Sequence, residues 1–314
     1  MGEIRDWGQL ADQRASEIRQ EFYERRIRVR PEPLQRDHYS QVGNSHWVPK
    51  DWYRQLKYVG QGVARGAAAS AEARKAVLLG RWAASQMGMW TLPVESGEVL
   101  CGLRSGNVPS KSNRPFFTKF HAMEIAAEDV IELDGVRITH PLRTFVDLCR
   151  LGDVVSAHMA MSWLLDAGIS AYEVQTYVEE FDQKIRPKAL RRANAIANGA
   201  VTFRSYENSL AWGLLRNAGM PVEAHANLED FGYAPILVGG DLIIAVEKDP
   251  LFHDVKAAGV SASEVQLLRK KTRWLAARGY RSLYFALEEL ERNPDAFISD
   301  VYSAKYLRNR DLRF

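Results

Sequence analysis

The sequence predicts an α/β protein of two domains, the second of which is organised around a central mixed sheet. The chain has 314 residues, which is too long for one small hydrophobic core. An aliphatic run over 242–246 lies between Gly239-Gly240 and Pro250, and this indicates a strand buried on both faces. Patterns typical of a helix, three strands, a helix and a final strand follow residue 205, which favours an α/β unit.

The composition is that of a globular protein, and its charge balance excludes few functions. The net charge is only +3, so nucleic-acid binding would have to depend on local clusters of basic residues. No apolar stretch is long enough for a membrane span, and the N-terminus lacks a secretory signal. We therefore expect a cytoplasmic protein without membrane contact. Cys101 and Cys149 are too few for a disulfide framework or a zinc site, so we expect two reduced, buried thiols.

Residues 1–42 are predicted to form an amphipathic helix over 3–24 and then a basic arm. The arm, RRIRVRPEP, contains one acid, Glu32, and four arginines: Arg25, Arg26, Arg28 and Arg30. A run of this kind is most often a solvated turn. The alternative is an arm that binds nucleic-acid phosphates through Arg25, Arg26 and Arg28.

Residues 43–198 are predicted to form a helical and β domain. Its first part should contain a strand that ends at Pro49, a helix capped by Asp51, and a long Ala-rich helical stretch over 67–90. Two strands at 98–103 and 116–121 are expected to form a basic hairpin.

The second part of this domain is predicted to be mainly helical. After a strand over Val136–Thr139, Pro141 opens a helix in which Arg143 and Asp147 have the i, i+4 spacing of an ion pair. Helices should follow over 154–165 and 171–181 and from 187 onward. A change in composition near Gly199 marks the boundary of the last region, 199–314.

Acidic residues cluster where the predicted central strand leaves the core. Asp241 stands at the strand entrance, and Glu247, Asp249 and His253 follow its end. Because side chains alternate along a strand, Asp241, Glu247 and Asp249 would share one face. Carboxylates grouped at the end of a buried strand are costly unless they bind a cation, so these three are candidate metal ligands.

A basic helix is predicted after this acidic cluster. Apolar residues occupy one face of 265–278, and the other face carries Arg269, Lys270, Lys271 and Arg273. Such a face is usually solvated. Its position next to the acids in sequence makes contact with nucleic acid the alternative interpretation.

Segments in both halves of the chain resemble known families. GNSHWVPKDWYRQL, AVLLGRWAASQMGMW and GVRITHPLRTFVDLCR resemble AbiEi-type antitoxin-like proteins of actinobacteria, in which a DNA-binding winged-helix part precedes a helical and β domain. ENSLAWGLLRNAGMPVEAHANL, AVEKDPLFH and TRWLAARGY resemble the very-short-patch-repair-like members of the PD-(D/E)XK, or restriction-endonuclease-like, superfamily. The resemblance implies a winged-helix-like N-terminal region followed by a nuclease-like α/β domain, and a role with DNA in a toxin–antitoxin or phage-defence system.

The nuclease resemblance also implies a set of catalytic residues. Glu247 and Asp249 match the acids of the family's strand signature, His253 matches the histidine after them, and Glu207 matches a helix glutamate near the metal. In such a site carboxylates hold Mg²⁺, which activates water for phosphodiester hydrolysis.

Three departures from the family pattern count against catalysis. The first catalytic acid, about eleven residues before the strand glutamate, would fall on Pro235-Ile236. Asp241 is the nearest substitute, but six residues of straight strand separate it from Glu247 by about 20 Å. Pro250 replaces the expected glycine, and the later helix lacks the family's Asp and Arg.

Three functions therefore remain open. The first is a DNA-associated protein, antitoxin-like or defence-linked, whose nuclease-like centre is eroded and binds no cofactor. The second is an active Mg²⁺-dependent DNA endonuclease. The third is a protein-binding subunit that pairs with a toxin or another partner through exposed Trp and Tyr side chains near 47–58.

Overall fold

A computed structural model describes residues 7–94, 97–110, 114–115, 117–181, 187–228, 232–246, 270 and 273–307. The chain divides into two compact units, Met1–Ala200 and Val201–Phe314. Both units combine helices with β-sheet, so the predicted α/β class is confirmed. Within the described residues, no helix is both long and apolar enough to cross a membrane.

Helices make up most of the first unit. The described helices are α1 (Gln13–Arg25), α2 (Lys50–Gln55), α3 (Lys57–Glu72), α4 (Arg81–Met87), α5 (Pro141–Leu151), α6 (Val154–Asp166), α7 (Ala171–Glu180) and α8 (Pro187–Asn198). The last four agree with the predicted helices to within a residue or two, and Pro141 does open α5.

The strands of the first unit form two sheets. They are β1 (Tyr39–Gln41), β2 (Trp47–Pro49), β3 (Ala76–Leu78), β4 (Val99–Leu103), β5 (Thr118–His121), β6 (Val130–Leu133) and β7 (Val136–Thr139). β1 and β2 are an antiparallel pair, and the other strands lie in the order β5-β4-β3-β7-β6. β3 runs parallel to β7 and antiparallel to β4, so the larger sheet is mixed.

The central strand β3 is covered on both faces. Ala76 and Leu78 belong to the large core cluster, whereas Val77 and Leu79 belong to a second, smaller cluster. Alternating side chains point to opposite faces of a sheet, so each cluster lies on its own face. Cys101 and Cys149 are free and buried, as predicted, and burial raises the pKa of each thiol to about 12.

Three local predictions in the first unit are wrong. The first helix begins at Gln13, where the Asp12 side chain accepts a hydrogen bond from the Arg14 N–H and caps it. The stretch over 76–78 is a strand, because a short apolar run fits a buried strand as well as a helix. Asp51 lies in the first turn of α2 and does not cap it.

The predicted basic hairpin is also wrong. β4 and β5 pair in parallel, from Val99 with Thr118 to Gly102 with His121. Parallel neighbours require a crossover, and the connection over 104–117 is long enough to provide one.

The second unit has the predicted order of elements. Its elements are α9 (Tyr206–Asn217), β8 (Val222–Asn227), β9 (Tyr233–Val238), β10 (Leu242–Val246), the helical segment α10 (273–277), β11 (Arg281–Phe285), α11 (Leu287–Arg292) and α12 (Pro294–Tyr302). The Ser205 side chain caps α9, and Gly219, at φ +72°, follows its end. The sheet order is β11-β10-β9-β8, with β10 antiparallel to β9 and parallel to β11.

The predicted central strand is confirmed as β10. All five of its residues are buried, and both neighbouring strands pair with it. Because successive side chains point to opposite faces and all are buried, both faces of β10 are covered, which explains its continuous aliphatic sequence.

The turn between β1 and β2 is held by Glu72 from the end of α3. Its carboxylate accepts hydrogen bonds from the backbone N–H groups of Asn44 (3.0 Å) and Ser45 (2.6 Å) and contacts Nδ1 of His46 at 2.9 Å. Burial alone raises the pKa of Glu72, but the bonds from His46, Ser45 and Asn44 outweigh burial and lower it. The ionised carboxylate is therefore part of the fold.

We expect Glu72→Gln to lower the free energy of unfolding by about 2 kcal/mol near neutral pH, because it weakens hydrogen bonds to a charged acceptor. The folded-state pKa of Glu72 is depressed, so its contribution is present above the unfolded pKa and is lost as the pH falls through the folded pKa. Urea denaturation from neutral pH to about pH 3 should thus show a shallower loss of stability in Glu72→Gln than in the wild type. Glu132→Gln, at an exposed ion pair with Arg137, is the control. If stability falls equally steeply with pH in all three proteins, the ionised Glu72 does not have this stabilising role.

Candidate functional site

The strand that leads to the predicted metal site is described, but the acids after it are not. Val246 is the last described residue of β10. Glu247, Asp249 and His253 lie outside the described residues, as do Arg269 and Lys271. The candidate residues with described positions are Glu207, Asp241, Lys270, Arg273, Arg25, Arg26 and Arg28.

Asp241, at the entrance of β10, is neutralised by two cations. Its Oδ2 accepts a hydrogen bond from Arg281 Nη2 at 2.8 Å, and its Oδ1 bonds Lys305 Nζ. The same Lys305 ammonium donates to the carbonyl of Gly239 at 2.8 Å. Burial tends to raise the pKa of Asp241, but the bonds from Lys305 and Arg281 lower it, so the carboxylate stays ionised.

This geometry leaves Asp241 poorly suited to bind a metal with residues beyond β10. Both carboxylate oxygens are already bonded, and a divalent ion would have to displace two cations. Five consecutive register pairs with β11 keep β10 extended from Leu242 to Val246. At about 3.3 Å per residue, the extended stretch from Asp241 to Val246 is already roughly 16 Å long. No three His, Cys, Asp or Glu side chains in the described part of the chain are grouped so that they could hold a metal ion.

The position at which the sequence resemblance predicts a first acid lies inside the sheet. Ile236 is fully buried on β9 and pairs with Ile244 on β10 and with Ala224 on β8. The pairing of β9 with β10 ends there, and Pro235, the next residue toward the start of β9, has no N–H with which to continue it. An aliphatic side chain therefore occupies the place where the nuclease pattern has a carboxylate.

Glu207 lies in the first turn of α9, and its side chain is partly buried. A carboxylate in the first turn is favourable because the backbone N–H groups there carry partial positive charge. The helix packs against β8, β9 and β10, so Glu207 belongs to the same unit as the strand that precedes the acidic cluster.

The described part of the predicted basic helix is amphipathic. Leu275 is buried and Trp274 packs on the core cluster of the second unit, whereas Lys270 and Arg273 are exposed. Within 273–277, the exposed Arg273 and the buried Leu275 therefore lie on different faces of the helix.

The predicted basic arm is fixed to the β1–β2 pair. Ile27 forms an antiparallel bridge with Trp47, with N···O distances of 2.9 and 3.0 Å. Beyond this single bridge the chain bends at Arg28 and Val29, so the arm does not continue as a strand. Arg26 and Arg28 therefore flank the residue that fixes the arm.

Arg25 is neutralised within the fold. Its Nε lies 3.4 Å from Oε2 of Glu21, and its guanidinium lies 5.9 Å from the ring centroid of Trp52. Trp52 itself is buried and donates its indole N–H to Glu21. The expectation that the Trp side chains of 47–58 are exposed is therefore wrong for Trp52.

Arg26 and Arg28 have no acidic partner among the described residues. The guanidinium of Arg26 lies 4.5 Å from the ring centroid of Tyr23 and 5.6 Å from that of Phe22. Its buried Nη1 has no hydrogen-bond partner in the described part of the chain. Burial, and then the charge of Arg28, lower the pKa of Arg26, which is the direction expected without a neutralising carboxylate.

The predicted Arg143–Asp147 ion pair is confirmed and belongs to a larger buried network. Arg143 Nε lies 3.0 Å from Asp147 Oδ1, its Nη1 lies 2.6 Å from Asp129 Oδ2, and its Nη2 donates to the carbonyl of Glu124. The guanidinium also lies 4.6 Å from the ring centroid of Phe181. All three charged side chains are at most 4% exposed.

Sequence reasoning missed the other members of this network. Asp129 accepts a hydrogen bond from the hydroxyl of Tyr177 at 2.6 Å and lies 3.4 Å from His140 Nε2. Burial alone raises the pKa of Asp129, but His140, Tyr177 and Arg143 lower it to about 2. The one local signal was His140 directly before Pro141, the position of a helix cap. Because Asp129 and His140 are almost wholly buried, we interpret the network as structural.

We expect Arg143→Met to lower the free energy of unfolding by about 3–5 kcal/mol, because it leaves the carboxylates of Asp129 and Asp147 buried without their cation. Urea denaturation near neutral pH measures the loss. Arg137→Met is the matched control: it removes an exposed cation paired with Glu132 and should cost less than about 1 kcal/mol. Similar losses in the two variants would contradict a structural role for the buried network.

Comparison with known proteins adds no family to these observations. No family model matches the chain, and no curated protein and no solved structure matches it. A function must therefore be argued from the residues themselves.

Proposed function

We propose that this chain is a cytoplasmic DNA-associated protein, antitoxin-like or defence-linked, whose C-terminal domain keeps a nuclease-like fold without a working metal centre. The observation that carries the proposal is the pair of arginines, Arg26 and Arg28, which no described acid neutralises. The second half of the proposal, the absence of a working metal centre, rests on Ile236, which stands where the resemblance predicts the first acid of a nuclease.

The arginine pair has the properties of a phosphate-binding element. A partly buried guanidinium without an acid is unfavourable, and its contact with the ring of Tyr23 offsets only about 1 kcal/mol of that cost. A phosphate oxygen would supply the missing charge and accept hydrogen bonds from the guanidinium. The bridge between Ile27 and Trp47 holds the pair in place before a ligand arrives, which reduces the entropy lost on binding.

The shape of this surface favours a polymer over a small anion. Arg28 and Arg30 are exposed on the segment that follows α1. The charges of Arg26 and Arg28 are close enough to act on each other, so the two guanidinium groups would contact neighbouring phosphates of one backbone. A row of cations on an open surface is typical of proteins that bind nucleic-acid backbones.

The absence of a working metal centre is supported by charge and packing in the second unit. Catalysis by a nuclease of this type needs several carboxylates around one ion. Ile236 replaces one of them with a buried aliphatic side chain, and Asp241 is bonded to Arg281 and Lys305. The helix–three strands–helix–strand order supports retention of the nuclease-like scaffold.

An active Mg²⁺-dependent endonuclease is the second candidate. It is favoured by the grouping of Glu247 and Asp249 in the sequence and by the position of Glu207 on a helix that packs against β10. A protein-binding role through tryptophans near 47–58 is less well supported, since Trp52 is buried.

We expect duplex DNA to bind with a steep salt dependence that requires the arginine pair. Replacing Arg26 and Arg28 together by Gln should weaken binding at all sequences and reduce the slope of log K against log [salt] by about 2, because roughly one counterion is released per phosphate contact. Mobility shifts on a blunt duplex with 5′-hydroxyl ends provide the measurement.

The matched control replaces Arg74 and Lys75 by Gln, since these are two exposed cations in the same unit. It removes the same total charge at another place and should leave the slope nearly unchanged. If both double variants lose affinity equally, the arginine pair is not a specific contact and only the net charge matters.

We expect the full chain to cleave neither plasmid nor linear DNA beyond the level seen with EDTA, with either Mg²⁺ or Mn²⁺ present. The physical reason is the missing acid at Ile236. Glu247→Ala and Glu207→Gln should behave like the wild type. Metal-dependent cleavage that both variants abolish would establish the endonuclease alternative instead.

A further inference from the structure

A pocket at the end of β5 is not used by the proposed function. It has a volume of about 330 Å³ and is lined by His121, Ala122, Met123, Arg150, Leu151 and Ala189. Its size is at the lower end of the range for small-molecule sites. Among the described residues, its polar side chains are one imidazole and one guanidinium, and none of them is a carboxylate.

The buried network positions Arg150 at this pocket. Nη1 of Arg150 lies 3.9 Å from Oδ1 of Asp147, whose side chain is fully buried and does not line the pocket. Arg143 lies closer to the same oxygen, at 3.0 Å, so Asp147 is shared between two cations. Asp147 therefore interacts more closely with Arg143 than with Arg150.

Two further cations, Lys119 and Arg192, lie on elements next to the pocket. Lys119 lies two residues before His121, on the same face of β5, and lines a second pocket that shares Leu151 with the first. Arg192 of α8 donates a hydrogen bond to the carbonyl of Cys149 at 2.5 Å. Two acids are among the described residues that line the second pocket: Asp153, which is paired with Arg81, and Glu98.

The end of a helix disfavours anions, but the carbonyl groups at the end of α5 are already bonded. The carbonyl of Cys149 accepts hydrogen bonds from Arg192 and from the N–H of Gly152, and that of Leu148 accepts one from the N–H of Asp153. Bonded carbonyls present less negative charge to a neighbouring ligand.

We propose that this pocket binds a phosphate monoester, with the guanidinium of Arg150 and the imidazole of His121 donating hydrogen bonds to its oxygens. Met123, Leu151 and Ala189 supply an apolar wall for the carbon group attached to the phosphate. A planar guanidinium beside a second donor is a favourable arrangement for a phosphate dianion. The ligand is the phosphate of a free mononucleotide or the 5′-phosphate at a DNA end. The proposal does not depend on duplex binding by Arg26 and Arg28.

Such binding has a second signature at His121. Burial and the charges of Lys119 and Arg150 lower the pKa of His121, and Asp147 is the acid that acts in the opposite direction. A bound dianion adds negative charge next to the ring and therefore raises the pKa of His121.

The test titrates the full chain with inorganic phosphate, then with adenosine 5′-monophosphate, and follows binding by calorimetry and by the ring resonances of His121. We expect saturable binding, an upward shift of the His121 pKa, and affinity at least about tenfold weaker in both His121→Gln and Arg150→Gln, the loss expected for one charge-assisted hydrogen bond. Arg74→Gln, which removes an exposed cation elsewhere in the unit, should bind like the wild type.

Single-stranded oligonucleotides with and without a 5′-phosphate separate the two sources of the ligand. Competition by the phosphorylated strand alone assigns the pocket to DNA ends, and competition by the mononucleotide alone assigns it to free nucleotides. No saturable binding, or equal binding by wild type and His121→Gln, would overturn the proposal. If Arg150→Gln fails to fold, His121→Gln and the wild-type ring titration decide the question. Loss of duplex binding in the Arg26 and Arg28 variant leaves these outcomes unaffected.

Discussion

The buried guanidinium of Arg143 is the interaction on which much of the first unit depends. A charge removed from water costs several kcal/mol unless opposite charges and hydrogen bonds surround it. Asp147 supplies one carboxylate from the same helix, and Asp129 supplies the other from the loop before β6. Asp129 in turn accepts the hydroxyl hydrogen bond of Tyr177 on α7. One charge therefore connects a sheet edge, the helix after it and a second helix, and Asp147, which it holds, lies 3.9 Å from Arg150 beside the pocket.

The same requirement for neutralisation explains Asp241 in the second unit. In the sequence, this acid stands at a strand entrance near other acids, which favours a metal ligand. In the fold, its partners come from much farther along the chain: Arg281 is 40 residues away and Lys305 is 64. The β10–β11 pairing brings Arg281 beside it, and the segment after α12 brings Lys305. Distant cations thus occupy oxygens that sequence reasoning left available for a metal.

Features that depend on residues close together in the chain could be predicted from the sequence, and features that depend on distant residues could not. The bounds of α9 depend on Ser205 and Gly219, and the start of α5 depends on Pro141, so local signals were sufficient. The pair Arg143–Asp147 obeys a fixed helical spacing and was also predictable, whereas Asp129 joins it from outside the helix, where no spacing rule applies. The pairing of β4 and β5 was predicted wrongly for the same reason. Strands that are neighbours in sequence usually form a hairpin, and the sequence did not reveal the crossover that makes these two parallel. At the candidate site, the sequence placed Ile236 on a strand, but its burial between two neighbouring strands could be seen only in the sheet.

Neighbouring residues of one type can thus have opposite roles, and only the fold distinguishes them. Arg25 and Arg26 are adjacent in a run of arginines, yet Glu21 neutralises the first, and no described acid neutralises the second. A cation with an internal partner contributes to stability and offers little to a ligand, since binding would first break the pair. A cation that is partly buried, held by backbone pairing and in contact with an aromatic ring, but without an acid, is unfavourable until an anion arrives. Its cost to the folded chain is recovered only on binding, which is the physical reason to propose a contact with an anion at Arg26 and Arg28 and not at the arginine run as a whole.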